Sequence, residues 1–261
     1  MRLTTLLLLL AASCAAHAAP RADKISWTDG GKTFDGYLVW DDATQAPRPG
    51  LVMVPNWYGV NAAAVDKAKT LAGTDYVILL ADVYGRGVRP ANADEAGKAS
   101  GAAAADPEAL RSHIRAALAT LRAAGDKAPV DTTRIGAIGF CFGGMVALEL
   151  ARSGADIAGV ATFHANLSTK QPATAEELKA PVLVMNGADD KFVSAESIDA
   201  FQAEMRAAKA DWQFVNYGGA VHCFAEPDEH DTVPGCRFHA PSYRRSVALM
   251  HDFFDEAFAR P

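Results

Sequence analysis

Six continuous apolar stretches of strand length constrain this chain more than any other feature: 51–54, 76–81, 134–140, 157–163, 182–186 and 212–217. A strand with one wet face alternates apolar and polar residues. A run that is apolar throughout suits a central parallel strand covered on both faces. Between these runs, 62–71, 107–124, 144–152, 195–208 and 243–257 carry helical periodicity, and Asp106-Pro107 supplies an N-cap followed by proline at the first helical position. Strands alternating with helices imply right-handed βαβ crossovers, so the expected fold is α/β, a mostly parallel central sheet with helices on both faces. Ahead of the first run, 24–27 and 37–40 read as two strands joined at Gly30-Gly31, an antiparallel start. The stretch 85–105 is rich in small residues and weakly periodic, and reads either as a mobile cap or as a surface excursion. With half of 261 residues hydrophobic and no internal break in composition, 19–261 is expected to form one domain.

The first 18 residues read as a targeting segment. Met1-Arg2 gives a positive start, an apolar run follows, and Ala16-His17-Ala18 is a small-x-small cleavage site. The run is too short to span a bilayer as a retained helix, so the mature chain is expected in the periplasm or medium. A minor alternative is lipidation at Cys14. Export leaves Cys141, Cys223 and Cys236 in an oxidising compartment. Cys223 and Cys236 flank a loop rich in Pro, Asp and Gly and form the natural pair, which would contribute roughly 3 kcal/mol. The alternative is three reduced core thiols. Under the paired reading Cys141 is the free one. With 25 Lys+Arg against 31 Asp+Glu, nothing in the charge balance suggests a nucleic-acid partner.

Cys141 lies in Gly139-Phe140-Cys141-Phe142-Gly143-Gly144, between the end of a strand and the start of a helix. This is the setting of a nucleophile elbow, G-x-S-x-G with cysteine in place of serine. The glycines permit a sharp turn, and the helix N-terminus favours negative charge on sulfur. Two later strands end in Gly187-Ala188-Asp189-Asp190-Lys191 and Gly218-Gly219-Ala220-Val221-His222. Nucleophile, acid and histidine thus follow in the order used by α/β-hydrolases, at strand ends that converge on one edge of such a sheet.

On these motifs the chain resembles the dienelactone hydrolase family, from about Lys24 to the C-terminal helix, and looks most like an exported branch of it. The resemblance implies the α/β-hydrolase fold and a triad of Cys141, Asp190 and His222, with Asp190 rather than Asp189 as the acid. It also implies an oxyanion hole from the loop Pro55-Asn56-Trp57-Tyr58-Gly59-Val60-Asn61, through the Trp57 N–H, together with the N–H of Phe142. By the same likeness, Arg86 in Asp82-Val83-Tyr84-Gly85-Arg86 inherits a role in binding a substrate carboxylate. Asn56, Tyr58, Tyr84 and His164 are further candidates at the substrate site. Two positions depart from the family: Asn56 stands where it has a glutamate controlling the cysteine's protonation, and Glu226 where it has a second carboxylate-binding arginine. An acidic residue there would repel a carboxylate substrate.

The chemistry implied is attack by a His222-activated thiolate on an ester or lactone carbonyl, with an acyl-cysteine intermediate. No cofactor is implied, and no His/Cys/Asp spacing suggests a metal. Two other classes remain open: an exported binding domain for a small hydrophobic ligand, and a thiol redox protein using Cys141.

Overall fold

A computed structural model describes residues 20–260; the first 18 residues, expected to be a targeting segment, and Cys14 within them lie outside these. The fold is α/β, built on an eight-stranded sheet in the order β1-β2-β4-β3-β5-β6-β7-β8. Strands β1 (Pro20–Asp29) and β2 (Lys32–Asp41) form the expected hairpin across Gly30-Gly31, both at positive φ. β2 runs antiparallel to β4 (Val77–Leu80), while β4, β3 (Arg48–Val54), β5 (Val130–Phe140), β6 (Val160–Phe163), β7 (Val182–Gly187) and β8 (Trp212–Tyr217) are mutually parallel. The strands β3, β4, β6 and β7 are buried almost throughout, as their unbroken apolar runs require.

Each face of the sheet buries its own apolar cluster. One is covered by α1 (Ala62–Ala72) and α6 (Ala240–Ala259), through Leu71, Met250 and Phe254. The other is covered by α3 (Pro107–Arg122), α4 (Phe142–Arg152) and α5 (Ala195–Ala207), through Ile114, Leu148 and Phe201. The Asp106 side chain caps α3 by accepting from Ala109 N–H, with Pro107 in the first turn. Part of the stretch 85–105 is a helix, α2 (Ala93–Ala105), closed at its start by a reciprocal pair. Asn92 accepts from Glu95 N–H, and Glu95 reaches back to Ala91 N–H. Only Ala96 of α2 is buried. Its Ala, Gly and Ser residues give too little contrast between faces for periodicity to reveal it.

Helix α4 is the most buried helix of the set, and polar groups behind it are matched. Arg152, 1 % exposed, donates to Glu204 on α5, to Glu149 and to the Leu167 carbonyl, while Arg111 of α3 pairs with Glu149. Cys223 and Cys236 are joined by a disulfide. The loop it closes is pinned to the strand-end residue beside it, with Arg237 N–H donating to the His222 carbonyl at 2.9 Å. Cys141 is the free cysteine among the described residues. No helix among them is long and apolar enough to cross a membrane.

Candidate active site

Cys141 sits between the last residue of β5 and the first of α4, at φ 54° and ψ −119°. A non-glycine residue there is strained by about 1–3 kcal/mol and is held only by its surroundings. Here the Cys141 N–H donates to the Phe163 carbonyl at 3.0 Å, and its carbonyl accepts from Gly144 N–H at 3.0 Å. A Cβ at Gly143 would collide with the Val54 and Pro55 carbonyls at the end of β3, and one at Gly139 with the Gly143 backbone. The glycines therefore allow α4 to start almost against the sheet. Phe142, as the first residue of α4, has an N–H with no acceptor within the helix.

Asp190 and His222 arrive from the ends of β7 and β8. The two loops lock together: Ala188 N–H donates to Tyr217 and Asp189 N–H to Ala220. Asp190 accepts from Phe192 N–H on one oxygen and faces His222 Nδ1 at 2.7 Å with the other. His222 Nε2 lies 3.2 Å from Cys141 Sγ. Both Asp190 and His222 are buried. Burial pushes the Cys141 thiol up, but the nearby imidazoles of His222, hydrogen-bonded to the sulfur, and His164 outweigh it, lowering it to about 6. For His222, burial disfavours the charged ring, and contact with Asp190 and the thiol overrides this, raising it to about 10. The arrangement favours a thiolate–imidazolium pair near neutral pH.

The family model for the dienelactone hydrolase family matches residues 34–258. The chain belongs to the dienelactone hydrolase family. This family member is similar to a solved dienelactone hydrolase-like promiscuous phosphotriesterase, P91, from metagenomic libraries. That likeness is 35 % in sequence with a TM-score of 0.84, over 92 % of this chain and all of the other. It is also similar to the solved structure of m3DLH, at 39 % identity and a TM-score of 0.85 over the same shares. A curated relative from Escherichia coli K12, named "Putative carboxymethylenebutenolidase", is 26 % identical over 235 residues, 87 % of this chain and 83 % of the relative.

Other candidate residues of the family member fall in different places. Trp57 and Tyr84 form one wall: the Tyr84 hydroxyl donates to the Trp57 carbonyl at 2.9 Å, and the Tyr84 ring lies 5.5 Å from Phe142. Gly97 of α2 faces the Trp57 ring, so the small-residue helix covers these aromatics. Asn56 uses its side-chain oxygen to accept from Tyr58 N–H, and both line a cavity of about 160 Å³ with Lys67 and Glu226.

Arg86 does not join the thiol. Its guanidinium donates to both carboxylate oxygens of Asp35 on β2 and to Ser26 on β1, beside a separate cleft of about 760 Å³. β2 is three places from β5 in the sheet, roughly 14 Å at ~4.8 Å per strand. The Arg86 side chain, expected by family likeness to bind a carboxylate, is anchored on the hairpin. The His164 side chain is fully buried, with a ligating nitrogen within 4.8 Å of Cys141 Sγ. Glu226 is no exposed repulsive charge either; it is buried in an ion pair with Lys67 of α1.

Cys141, His164 and His222 each bring one side-chain nitrogen or sulfur atom within 4.8 Å of the others. Sequence spacing hid this trio because its members end three different strands. Lys67 and Phe192 carried no sequence signal. Phe192 is an exposed aromatic, 57 % accessible, whose ring lies 4.9 Å from that of His222 and forms the outer edge of the site.

Proposed function

We propose that this family member is an exported hydrolase of carboxylic esters and lactones, acting through Cys141, His222 and Asp190 and an acyl-cysteine intermediate. The observation that supports it best is the unbroken chain from Asp190 through His222 to Sγ, 2.7 Å and then 3.2 Å. Asp190 fixes the ring with Nε2 toward sulfur and stabilises the imidazolium. The thiolate attacks the carbonyl carbon, and the oxyanion is met by the N–H groups of Phe142 and Trp57. His222 gives its proton to the departing alkoxide. It then takes a proton from water, which attacks the thioester and releases the acid, returning the thiolate. Because thiolate leaves readily, the first adduct reverts to substrate unless the alcohol is also a fair leaving group. That favours activated esters, lactones and thioesters over amides. The Cys223–Cys236 disulfide supports the export reading.

The test is turnover of a panel of short aryl esters, lactones and thioesters by the mature protein and a Cys141→Ala variant. A phosphotriester belongs in the panel because P91 is described as a promiscuous phosphotriesterase. The expected result is ester or lactone turnover that falls by about 10³-fold or more without the thiol. Equal rates in the two proteins, or no turnover of any ester, lactone or thioester by the wild type, would remove Cys141 from this role.

A further inference from the structure

Behind the thiol lies a buried polar chain that the proposed mechanism does not use. His164, at the end of β6 and at φ 39°, is fully buried, and its ring lies edge-on to His222 at 4.9 Å. Its Nε2 is 3.5 Å from Glu226 Oε1. The other Glu226 oxygen is held by Lys67 Nζ, which sits 4.3 Å over the Phe140 ring. Glu226 and Lys67 are both buried, yet they meet across 159 residues of sequence. Neither His164 ring nitrogen makes a hydrogen bond of ordinary length and angle, and neither does Glu226 Oε1. Buried polar atoms left this way are destabilising, so their presence beside a reactive sulfur calls for a reason.

Charge balance supplies one. In the resting site the Cys141 thiolate, Asp190 and Glu226 are anionic, whereas His222 and Lys67 are cationic. One negative charge is left over in a buried volume, where it is costly. The His164 ring offsets part of it by position, with a ligating nitrogen within 4.8 Å of Cys141 Sγ and Nε2 3.5 Å from Glu226 Oε1, so that an N–H can be presented to the anions on either side. Resting on the reading of Cys141 as nucleophile, we infer that His164 is a second thiolate-stabilising histidine, with Glu226 and Lys67 as the positioning residues that keep its ring aimed at the sulfur. The thiol is thereby flanked by two imidazoles, each backed by its own carboxylate: His222 by Asp190, His164 by Glu226. This places thiolate control on Glu226 acting through His164, while Asn56 spends its side chain on its own loop.

Other charged or titratable groups bear on the same two centres. Tyr84 faces Cys141, with Asp82 beyond it. Glu226 has Lys67 on one side and Tyr243 and Glu229 on others. Burial pushes Glu226 up, and Lys67 with His164 outweighs that, lowering it to about 2, so it is an anion throughout the range that matters.

The test follows the thiol rather than turnover, so it stands apart from the hydrolase reading. The rate of Cys141 alkylation by iodoacetamide is measured against pH by intact mass, in the wild type and two variants. One is His164→Gln. The other is Lys67→Met with Glu226→Gln, which removes both charges together and so leaves no lone buried ion. Each is expected to raise the alkylation midpoint by about one pH unit. Midpoints unchanged or lowered in both overturn the inference. A rise in His164→Gln alone overturns the part assigned to Glu226 and Lys67, and a rise in the double variant alone overturns the part assigned to His164. Should the double variant not fold, Glu226→Asp, which draws the carboxylate back from His164, serves in its place and is expected to shift the midpoint the same way. Loss of ester turnover in Cys141→Ala bears on the nucleophile only and moves neither outcome.

Discussion

The Cys141 side chain is the point on which the chemistry turns, and its ionisation sets the clearest expectations. A thiol lowered to about 6 is already mostly thiolate at pH 7. Alkylation should therefore be near its plateau at neutral pH and fall as pH drops through about 6, whereas an ordinary thiol would still be gaining reactivity above pH 8. His222, raised to about 10, loses its proton only at the alkaline end. The reactive pair thus prevails between the two values, and kcat/KM should rise near pH 6 and decline near pH 10. Both limbs belong to the coupled pair rather than to single residues. A pH–rate profile checks this, and an acid limb near 8 would contradict it. Asp190→Asn removes the carboxylate at 2.7 Å from Nδ1 and leaves the ring in the wrong tautomer. A loss of about 10²-fold or more in kcat/KM is expected from steady-state kinetics, with KM little changed.

At the scale of elements, the elbow and the disulfide loop carry separate predictions. Gly143 lies so close to the Val54 and Pro55 carbonyls that Gly143→Ala must push α4 off the sheet. Activity should collapse even if the protein is recovered folded, and circular dichroism beside the ester assay separates the two effects. The Cys223–Cys236 crosslink spans 13 residues and begins next to His222. Replacing both cysteines with serine is expected to cost roughly 3 kcal/mol, read as a midpoint change in denaturant unfolding. The same elements show what a linear chain can and cannot reveal. The hairpin, the parallel strands, the elbow and the cysteine pair were legible because each is written in contiguous residues, as apolar runs, glycine spacing or a flanked loop. Helix α2 was not, since its Ala, Gly and Ser residues lack an amphipathic contrast. The Lys67–Glu226 pair was not, since its partners are 159 residues apart and each reads alone as an ordinary surface charge. The Arg86–Asp35 pair was not legible for a related reason: family likeness gives Arg86 its position in the loop, but Asp35, on another strand, decides where its guanidinium rests.

Across the whole molecule, the sheet edge is held by what lies behind it. Arg152 ties α4 to α5 and to the loop after β6, with two glutamates as partners. Arg152→Met would leave Glu149 and Glu204 short of a buried cation, and a loss of about 3–5 kcal/mol is expected in denaturant unfolding. An unchanged midpoint would show that the network adds nothing to the fold. The triad itself is tested most directly by catching the intermediate. The protein is mixed with a short aryl ester or lactone, quenched in acid within the first turnovers and measured as intact mass. The expected result is a single acyl increment, mapped to Cys141 by peptide analysis, absent from Cys141→Ala and discharged by water on longer incubation. Turnover with no adduct on Cys141, or an adduct that persists in Cys141→Ala, would contradict the cysteine mechanism.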